Sequence, residues 1–211
     1  MKKIAIIGAN GKQGLCLTNE AVSRGYEVTA VIRHKKAKNP KAKVLQKDLF
    51  DLTADDLKGF DAVIDSFGVW TEDKFPQHGS SLRHLCECLK NSKTRLLIVG
   101  GAGCLYTDSS HKTMLLNAPD FPEEFKPLAR AEVNAFMELK ECKDVLWTYL
   151  CPPFDFNPDG KRCGKYKLSG AEVPFNSKGE SSISYADYAI AMIDEFENAK
   201  FIQKNFSVVS I

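Results

Sequence analysis

Ile4-Ala5-Ile6-Ile7-Gly8-Ala9-Asn10-Gly11-Lys12-Gln13-Gly14 is the stretch that decides the fold. Four consecutive apolar residues that stop at glycine read as a strand buried on both faces, the type found in parallel sheets. From about residue 12 to 24 the pattern is an amphipathic helix, with Leu15, Thr18, Ala21 and Val22 on one side and Gly25 as its stop. The glycines in between form G-x-x-G-x-x-G. Gly8 permits a sharp turn, Gly11 leaves room for an anion to approach the backbone, and Gly14 lets the helix pack close to the strand. The free N–H groups at the helix start then make an anion site. The motif in its strand-loop-helix setting predicts a pyrophosphate site made by Gly8, Asn10, Gly11, Lys12, Gln13 and Gly14. The plain reading of the same glycines is a tight turn without a ligand.

The rest of the chain repeats the alternation. Strands are expected at 26–32, 43–46, 61–65, 95–99 and 146–150, and helices at about 76–91, 123–141 and 185–197. An irregular stretch runs from Gly100 to about Pro122, and a Gly-, Pro- and Lys-rich loop region spans about 155–181. Phe206-Ser207-Val208-Val209 reads as an added edge strand. The fold class is α/β: a Rossmann-type, doubly wound, mostly parallel sheet. It is expected as one domain, 1–211, with a small C-terminal loop-rich substrate region. Right-handed crossovers bring every parallel strand's C-terminus to one edge, where ligands bind.

Residues at those strand ends are the other site candidates. After Ile32 comes Arg33-His34-Lys35-Lys36, where a site selective for NAD(H) often carries an acid for the ribose hydroxyls. A guanidinium at 33 can stack on adenine and pair with a 2′-phosphate, so NADP(H) is expected in preference to NAD(H). A solvated basic loop is the plainer reading. Asp48 and Leu49 follow the third strand; Asp48 either accepts the adenine amino group or caps a turn. Ser66-Phe67-Gly68 ends the fourth strand, and Gly101-Ala102 follows the fifth. Both are expected to face the cofactor crevice.

Charge and composition narrow the class. A net charge of +2 argues against a nucleic-acid or membrane partner. The apolar run after Met1-Lys2-Lys3 is too short for a signal-peptide core, and no apolar stretch reaches the ~18 residues of a membrane span. Seven cysteines, an odd number without a C-x-x-C pair, fit reduced thiols and no metal site. A cytoplasmic location is expected.

Taken with Val31-Ile32-Arg33, the glycine loop resembles that of the atypical short-chain dehydrogenases/reductases. Further stretches narrow the resemblance to the NADH-flavin reductase group, related to NmrA-like proteins and biliverdin reductase B. They are Val99-Gly100-Gly101-Ala102-Gly103, Ala118-Pro119-Asp120-Phe121-Pro122, Trp147-Thr148-Tyr149-Leu150, Gly164-Lys165-Tyr166 and Ile183-Ser184-Tyr185-Ala186-Asp187-Tyr188-Ala189. The resemblance runs in family order over nearly the whole chain. It implies an NAD(P)-binding oxidoreductase whose nicotinamide end lies just past the sixth strand, where Phe154 and Phe156 stand, with Pro153 and Phe154 as cofactor-binding candidates.

The usual Tyr-x-x-x-Lys pair of short-chain dehydrogenases is missing. Tyr26, Tyr106, Tyr149, Tyr166, Tyr185 and Tyr188 are followed four residues on by Ala30, Ser110, Pro153, Gly170, Ala189 and Met192. Hydride transfer to a flavin needs no such dyad, because the protein contributes mainly placement and stacking. Phe67, Trp70, Tyr106, Phe154 and Phe156 are candidate platforms for a flat small-molecule acceptor, with core or loop packing as the plainer reading of each. The pocket is expected between the segment around Cys104–Pro119 and the loop after Cys151. No catalytic acid or base is assigned: His78, His111 and Tyr106 are isolated, and Asp65 reads as a hydrogen-bonded strand-end carboxylate. Two functions follow: a reductase of a flavin or similar conjugated acceptor, or an NADP(H)-sensing regulator without turnover. A sugar-nucleotide epimerase fits less well, since it calls for the tyrosine and a larger C-terminal domain. Oligomeric state stays open.

Overall fold

The computed structural model describes residues 1–211. The elements in chain order are β1 (Lys3–Ile7), α1 (Lys12–Ser23), β2 (Glu27–Ile32), β3 (Lys43–Gln46), α2 (Ala54–Leu57), β4 (Ala62–Asp65), α3 (Gln77–Leu89) and β5 (Arg95–Val99). They continue with α4 (Lys126–Lys140), β6 (Leu146–Cys151), β7 (Asp155–Asn157), β8 (Tyr166–Ser169), β9 (Ser182–Ser184), α5 (Tyr185–Asn198) and β10 (Lys204–Ser210). Eight strands form one sheet in the order β3-β2-β1-β4-β5-β6-β10-β8. All pairings are parallel except that of β8 with β10. The chain reverses its direction of travel across the sheet at β1, whose neighbours are β2 and β4. That reversal opens a crevice above the carboxyl ends of β1 and β4.

The sheet is covered on both faces. One apolar layer joins Ala5, Val63, Leu96 and Ile98 to Leu85 and Leu89 of α3 and Phe136 and Leu139 of α4. The other joins Ile4, Ile6, Ile64 and Leu97 to Leu17 and Ala21 of α1 and Tyr188, Met192 and Ile193 of α5. Alternate residues of one strand feed opposite layers, as a period of two requires.

Four readings need correction. The last strand is not an edge. β10 lies between β6 and β8 with Phe206, Ser207, Val208 and Val209 fully buried, and the edge belongs to the half-polar β8, Tyr166-Lys167-Leu168-Ser169. A strand apolar at successive positions is buried on both faces, whereas a charged residue such as Lys167 suits an edge. Secondly, α1 buries Gly14, Leu17, Thr18 and Ala21, while Leu15 and Val22 stay half-buried. Gly14 sets that face, because the helix approaches the loop where no side chain intervenes. Thirdly, α4 begins at Lys126 after a 3-10 turn over Glu123–Phe125. Pro127 is tolerated only in a helix's first turn, so it fixes that start. Finally, the sequence reading overlooked α2, which is capped by a reciprocal Thr53–Asp56 pair.

A buried polar network holds the sheet edge remote from the crevice. The Arg95 guanidinium, on β5, donates to Glu195 Oε1 at 2.8 Å and Thr148 Oγ1 at 2.6 Å, tying β5 and β6 to α5. Glu195 accepts in addition from the N–H groups of Lys200 and Phe201. A second anchor is Asp187, fully buried in the first turn of α5. Its carboxylate accepts from the N–H of Cys163 and Gly164 and from the Ser184 hydroxyl, which itself caps the helix. The segment before β8 is thus pinned to the fold although it carries little regular structure.

Candidate functional site

The glycine loop turns at Gly8, whose φ of +71° is a left-handed conformation that an L side chain resists. Gly8 N–H donates to the Val31 carbonyl, and the Gly8 carbonyl accepts from Gly11 N–H at 2.8 Å. A Cβ at Gly14 would stand 2.2 Å from the Gly8 carbonyl oxygen and 2.8 Å from Ser66 Oγ. Gly14 therefore serves loop-to-helix packing. Gly11 caps α1 without any side-chain hydrogen bond, so the first N–H groups of the helix are left for a ligand. A Cβ at Gly11 would meet only the Gly8 carbonyl, at 3.1 Å.

The side chain of Asn10 is occupied within the protein. Its Nδ2 donates to the Lys36 carbonyl at 3.0 Å, and its Oδ1 accepts from Lys38 N–H at 2.8 Å. Its side-chain amide is committed to fastening the basic loop after β2 to the glycine loop. Arg33, His34, Lys35 and Lys36 on that loop are exposed, as is Lys12. Asp48 accepts from Phe50 N–H and caps a 3-10 turn, while Leu49 is buried in the core. Arg33, Asp48 and Leu49 cluster at the ends of β2 and β3, on the far side of the glycine loop from β4.

On the near side the strand ends enclose a cavity of about 860 Å³. Eight of the sequence-predicted residues line it: Gln13, Ser66, Phe67, Gly68, Gly101, Ala102, Pro153 and Phe154. Of the proposed platforms, Phe67, Trp70, Phe154 and Phe156 line it and Tyr106 does not. Trp70 and Phe154 are 75% and 54% exposed, unusual for such large apolar rings. The segment 104–119 supplies less of the wall than expected: of its residues only Leu115 lines the cavity. Tyr106 exchanges backbone hydrogen bonds with Ala171 and Val173, which fastens that segment to the loop after β8. The wall comes from the stretch that follows, through Asp120, Phe121, Phe125 and Leu128.

The isolated histidines divide. His111 stacks on Tyr106 at 4.4 Å and pairs with Glu172, away from the cavity. His78 lines it, bonded to the Val69 carbonyl; burial lowers its pKa and keeps it neutral.

Carboxyl groups supply what the sequence reading lacked. Asp65, at the end of β4, lines the cavity, and its Oδ1 accepts from Phe67 N–H at 2.9 Å, as a strand-end carboxylate was expected to do. Desolvation nevertheless pushes its pKa up to about 7. Glu132 was missed altogether. It lies on α4 in register with Leu128 and Ala135, which line the same cavity, and burial lifts its carboxyl to about 7 as well. An acid on an amphipathic helix reads by default as solvent-facing; the available signal was its 3–4 spacing from apolar neighbours.

A dinucleotide fits these residues on two structural grounds. The start of α1 offers uncapped N–H donors, and the buried Gln13 Oε1 has no partner although Gln13 lines the cavity. A buried acceptor without a donor is costly, and a ligand N–H or O–H group can satisfy it. A family model described as NAD(P)H-binding matches residues 8–198. The chain belongs to the NAD(P)H-binding family.

Relatives of this NAD(P)H-binding protein agree over the whole length. It is 44% identical to the uncharacterized protein YwnB of Bacillus subtilis, over 99% of this chain and 98% of that one. The crystal structure of SP1627 from Streptococcus pneumoniae, named a putative NADH-flavin reductase, superposes with a TM-score of 0.97 at 46% identity, covering 100% of both chains. An anaerobilin reductase, ChuY of Escherichia coli O157:H7, shares the fold with a TM-score of 0.72 at 21% identity, over 99% of this chain and 97% of that one. No helix is long and apolar enough to cross a membrane.

Proposed function

We propose that this NAD(P)H-binding protein is a reductase that transfers hydride from NADPH to a flavin or a similarly flat, conjugated small molecule. The observation that carries this reading is the aromatic cavity joined to the glycine loop through Gln13 and Ser66. The first N–H groups of α1 would hold the pyrophosphate, and Gly101, Ala102, Pro153 and Phe154 would border the nicotinamide. When bound, the dihydronicotinamide supplies the hydride. The protein's part is to orient the two flat rings and exclude water between them. The exposed rings of Trp70, Phe125 and Phe154 supply stacking faces for the acceptor.

The lining contains the carboxyl groups of Asp65, Asp120, Glu132 and Asp155 and no lysine or arginine. The portion of acceptor inside the cavity is therefore uncharged, since a phosphate or carboxylate there would face acids without a cation. NADPH is favoured over NADH because Arg33, His34, Lys35 and Lys36 crowd the end of β2 with no acid among them. The test is anaerobic mixing with NADPH or NADH and riboflavin, followed by flavin bleaching. Bleaching above the protein-free rate, faster with NADPH, supports the reading. Tight NADPH binding without bleaching of riboflavin, FMN or a simple quinone overturns it in favour of a cofactor-sensing regulator.

A further inference from the structure

Asp65 and Glu132 both line the cavity, the first buried and the second half-buried, and only Asp65 has a partner in the protein. Asp65 accepts from Phe67 N–H. Glu132 has no hydrogen bond and no ion pair, and desolvation alone acts on it. Its position is nonetheless built. A Cβ at Gly101 would overlap Glu132 Oε2, so glycine at 101 leaves the carboxyl room to lie against the strand end. A Cβ at Gly100 would likewise strike the ring of Tyr149, whose hydroxyl accepts from Gly101 N–H at 3.1 Å. Glycines 100 and 101 thus seat one acid and one phenol at the inner end of the cavity, against the backbone that borders the nicotinamide in the reading above.

The surroundings favour the protonated form of that acid. From β6 the facing groups are Tyr149 and Cys151, and from α5 Tyr188; burial holds all three far above their ordinary pKa values, hence neutral. The turn after β5 adds the thiol of Cys104, 3.3 Å from that of Cys151. Asp65 from β4, neutral His78 from α3, Tyr185 from α5, Asp155 from β7 and Asp120 from the stretch before α4 are the other titratable groups of the lining. On α4 itself, Arg130 and Glu138 are exposed. No cation faces Glu132, and its pKa of about 7 makes it a donor near neutral pH.

We propose that Glu132 is the catalytic acid of this cavity, donating a proton to the acceptor as the acceptor takes up hydride. The inference rests on the reductase reading. In the step, a C–H bond of the reduced cofactor breaks and its electron pair forms a new bond to hydrogen at the acceptor's electrophilic atom. The O–H bond of Glu132 breaks, and its proton goes to the acceptor heteroatom that would otherwise carry the negative charge. The Glu132 carboxylate recovers a proton from water at the cavity mouth. The sum is acceptor plus NAD(P)H plus one proton giving reduced acceptor plus NAD(P)⁺.

Two measurements test it. In the cofactor-free protein labelled with carboxyl-¹³C glutamate, one resonance is expected to titrate near 7 and to vanish in Glu132→Gln. An ordinary carboxylate titration at this residue overturns the proposal without reference to turnover. In steady state with NADPH and riboflavin, wild-type kcat is expected to fall as pH rises through about 7. Glu132→Gln is expected to lower kcat about 100-fold and to lose that limb, with NADPH affinity held within about twofold. Glu132→Asp keeps the limb at reduced kcat. A Glu132→Gln protein with wild-type kcat and an intact alkaline limb overturns the proposal alone. Wild-type protein that fails to reduce any acceptor overturns the reductase reading and the proposal together.

Discussion

Replacing Gly14 with alanine tests the packing of the glycine loop, because the usual effect of that exchange and the effect expected here have opposite signs. Within a helix, alanine stabilises by about 1 kcal/mol relative to glycine. Here the added Cβ would stand 2.2 Å from the Gly8 carbonyl oxygen and 2.8 Å from both the Gly8 carbonyl carbon and Ser66 Oγ. A carbon and a carbonyl oxygen rest at about 3.3 Å, so either the first turn of α1 or the Gly8 peptide must move by about 1 Å. The peptide is not free to move: Gly8 N–H is bonded to Val31 and its carbonyl to Gly11 N–H. Overpacking against backbone costs about 1–3 kcal/mol, and its upper range exceeds the propensity gain, leaving a net loss of about 1–2 kcal/mol. For a chain of this length that lowers Tm by about 5 °C. The same shift moves the N–H donors at the start of α1, so NADPH affinity should fall at least about tenfold, read by nucleotide fluorescence titration. A raised Tm with unchanged affinity would refute both the packing and the placement of the pyrophosphate.

The remaining predictions concern selectivity, pH and anchoring. Arg33→Glu should weaken NADPH much more than NADH; equal weakening would remove the 2′-phosphate argument. Asp65, with a folded-state pKa of about 7 against an ordinary value of 3.8, binds its proton more tightly in the folded state. Its burial therefore costs nothing below pH 4, and an increasing penalty appears between pH 4 and 7, reaching at most about 4 kcal/mol. Tm should fall over that window and the fall should shrink in Asp65→Asn; identical pH profiles for both proteins would contradict this. Asp187→Ala strips the acceptor from the N–H groups of Cys163 and Gly164 and from Ser184. A loss of about 3 kcal/mol is expected, with new tryptic cleavage at Lys161, Arg162 or Lys165. Unchanged digestion would mean that the segment is held by something else.

Period and spacing carried much of this molecule. The apolar run Ile4–Ile7, the glycines at 8, 11 and 14 and the alternation of strands with helices specify a doubly wound sheet, because local hydrogen bonding and burial demand those patterns wherever the chain is placed. The place of β10 was not legible. Phe206, Val208 and Val209 are apolar around Ser207, but which strands flank them depends on β8 folding back to form the edge. The role of Asn10 was hidden for a related reason: its partners, Lys36 and Lys38, are 26 and 28 residues away, and only the parallel pairing of β1 with β2 brings the two loops together.

Glu132 shows the limit most clearly. In Lys126–Lys140 only its 3–4 spacing from Leu128 and Ala135 sets it apart from the other acids of an amphipathic helix. Its chemistry arises because Gly101 leaves space over a strand end, because the packing around it draws the carboxyl partly out of water, and because no lysine or arginine lines the cavity. The strand–helix alternation, the glycine loop and the class of cofactor were legible in the sequence by itself, since each is written in residues close together in the chain. Tertiary structure alone decided which carboxyl groups are desolvated, because desolvation is a property of everything packed around a group and not of the residues beside it in the chain.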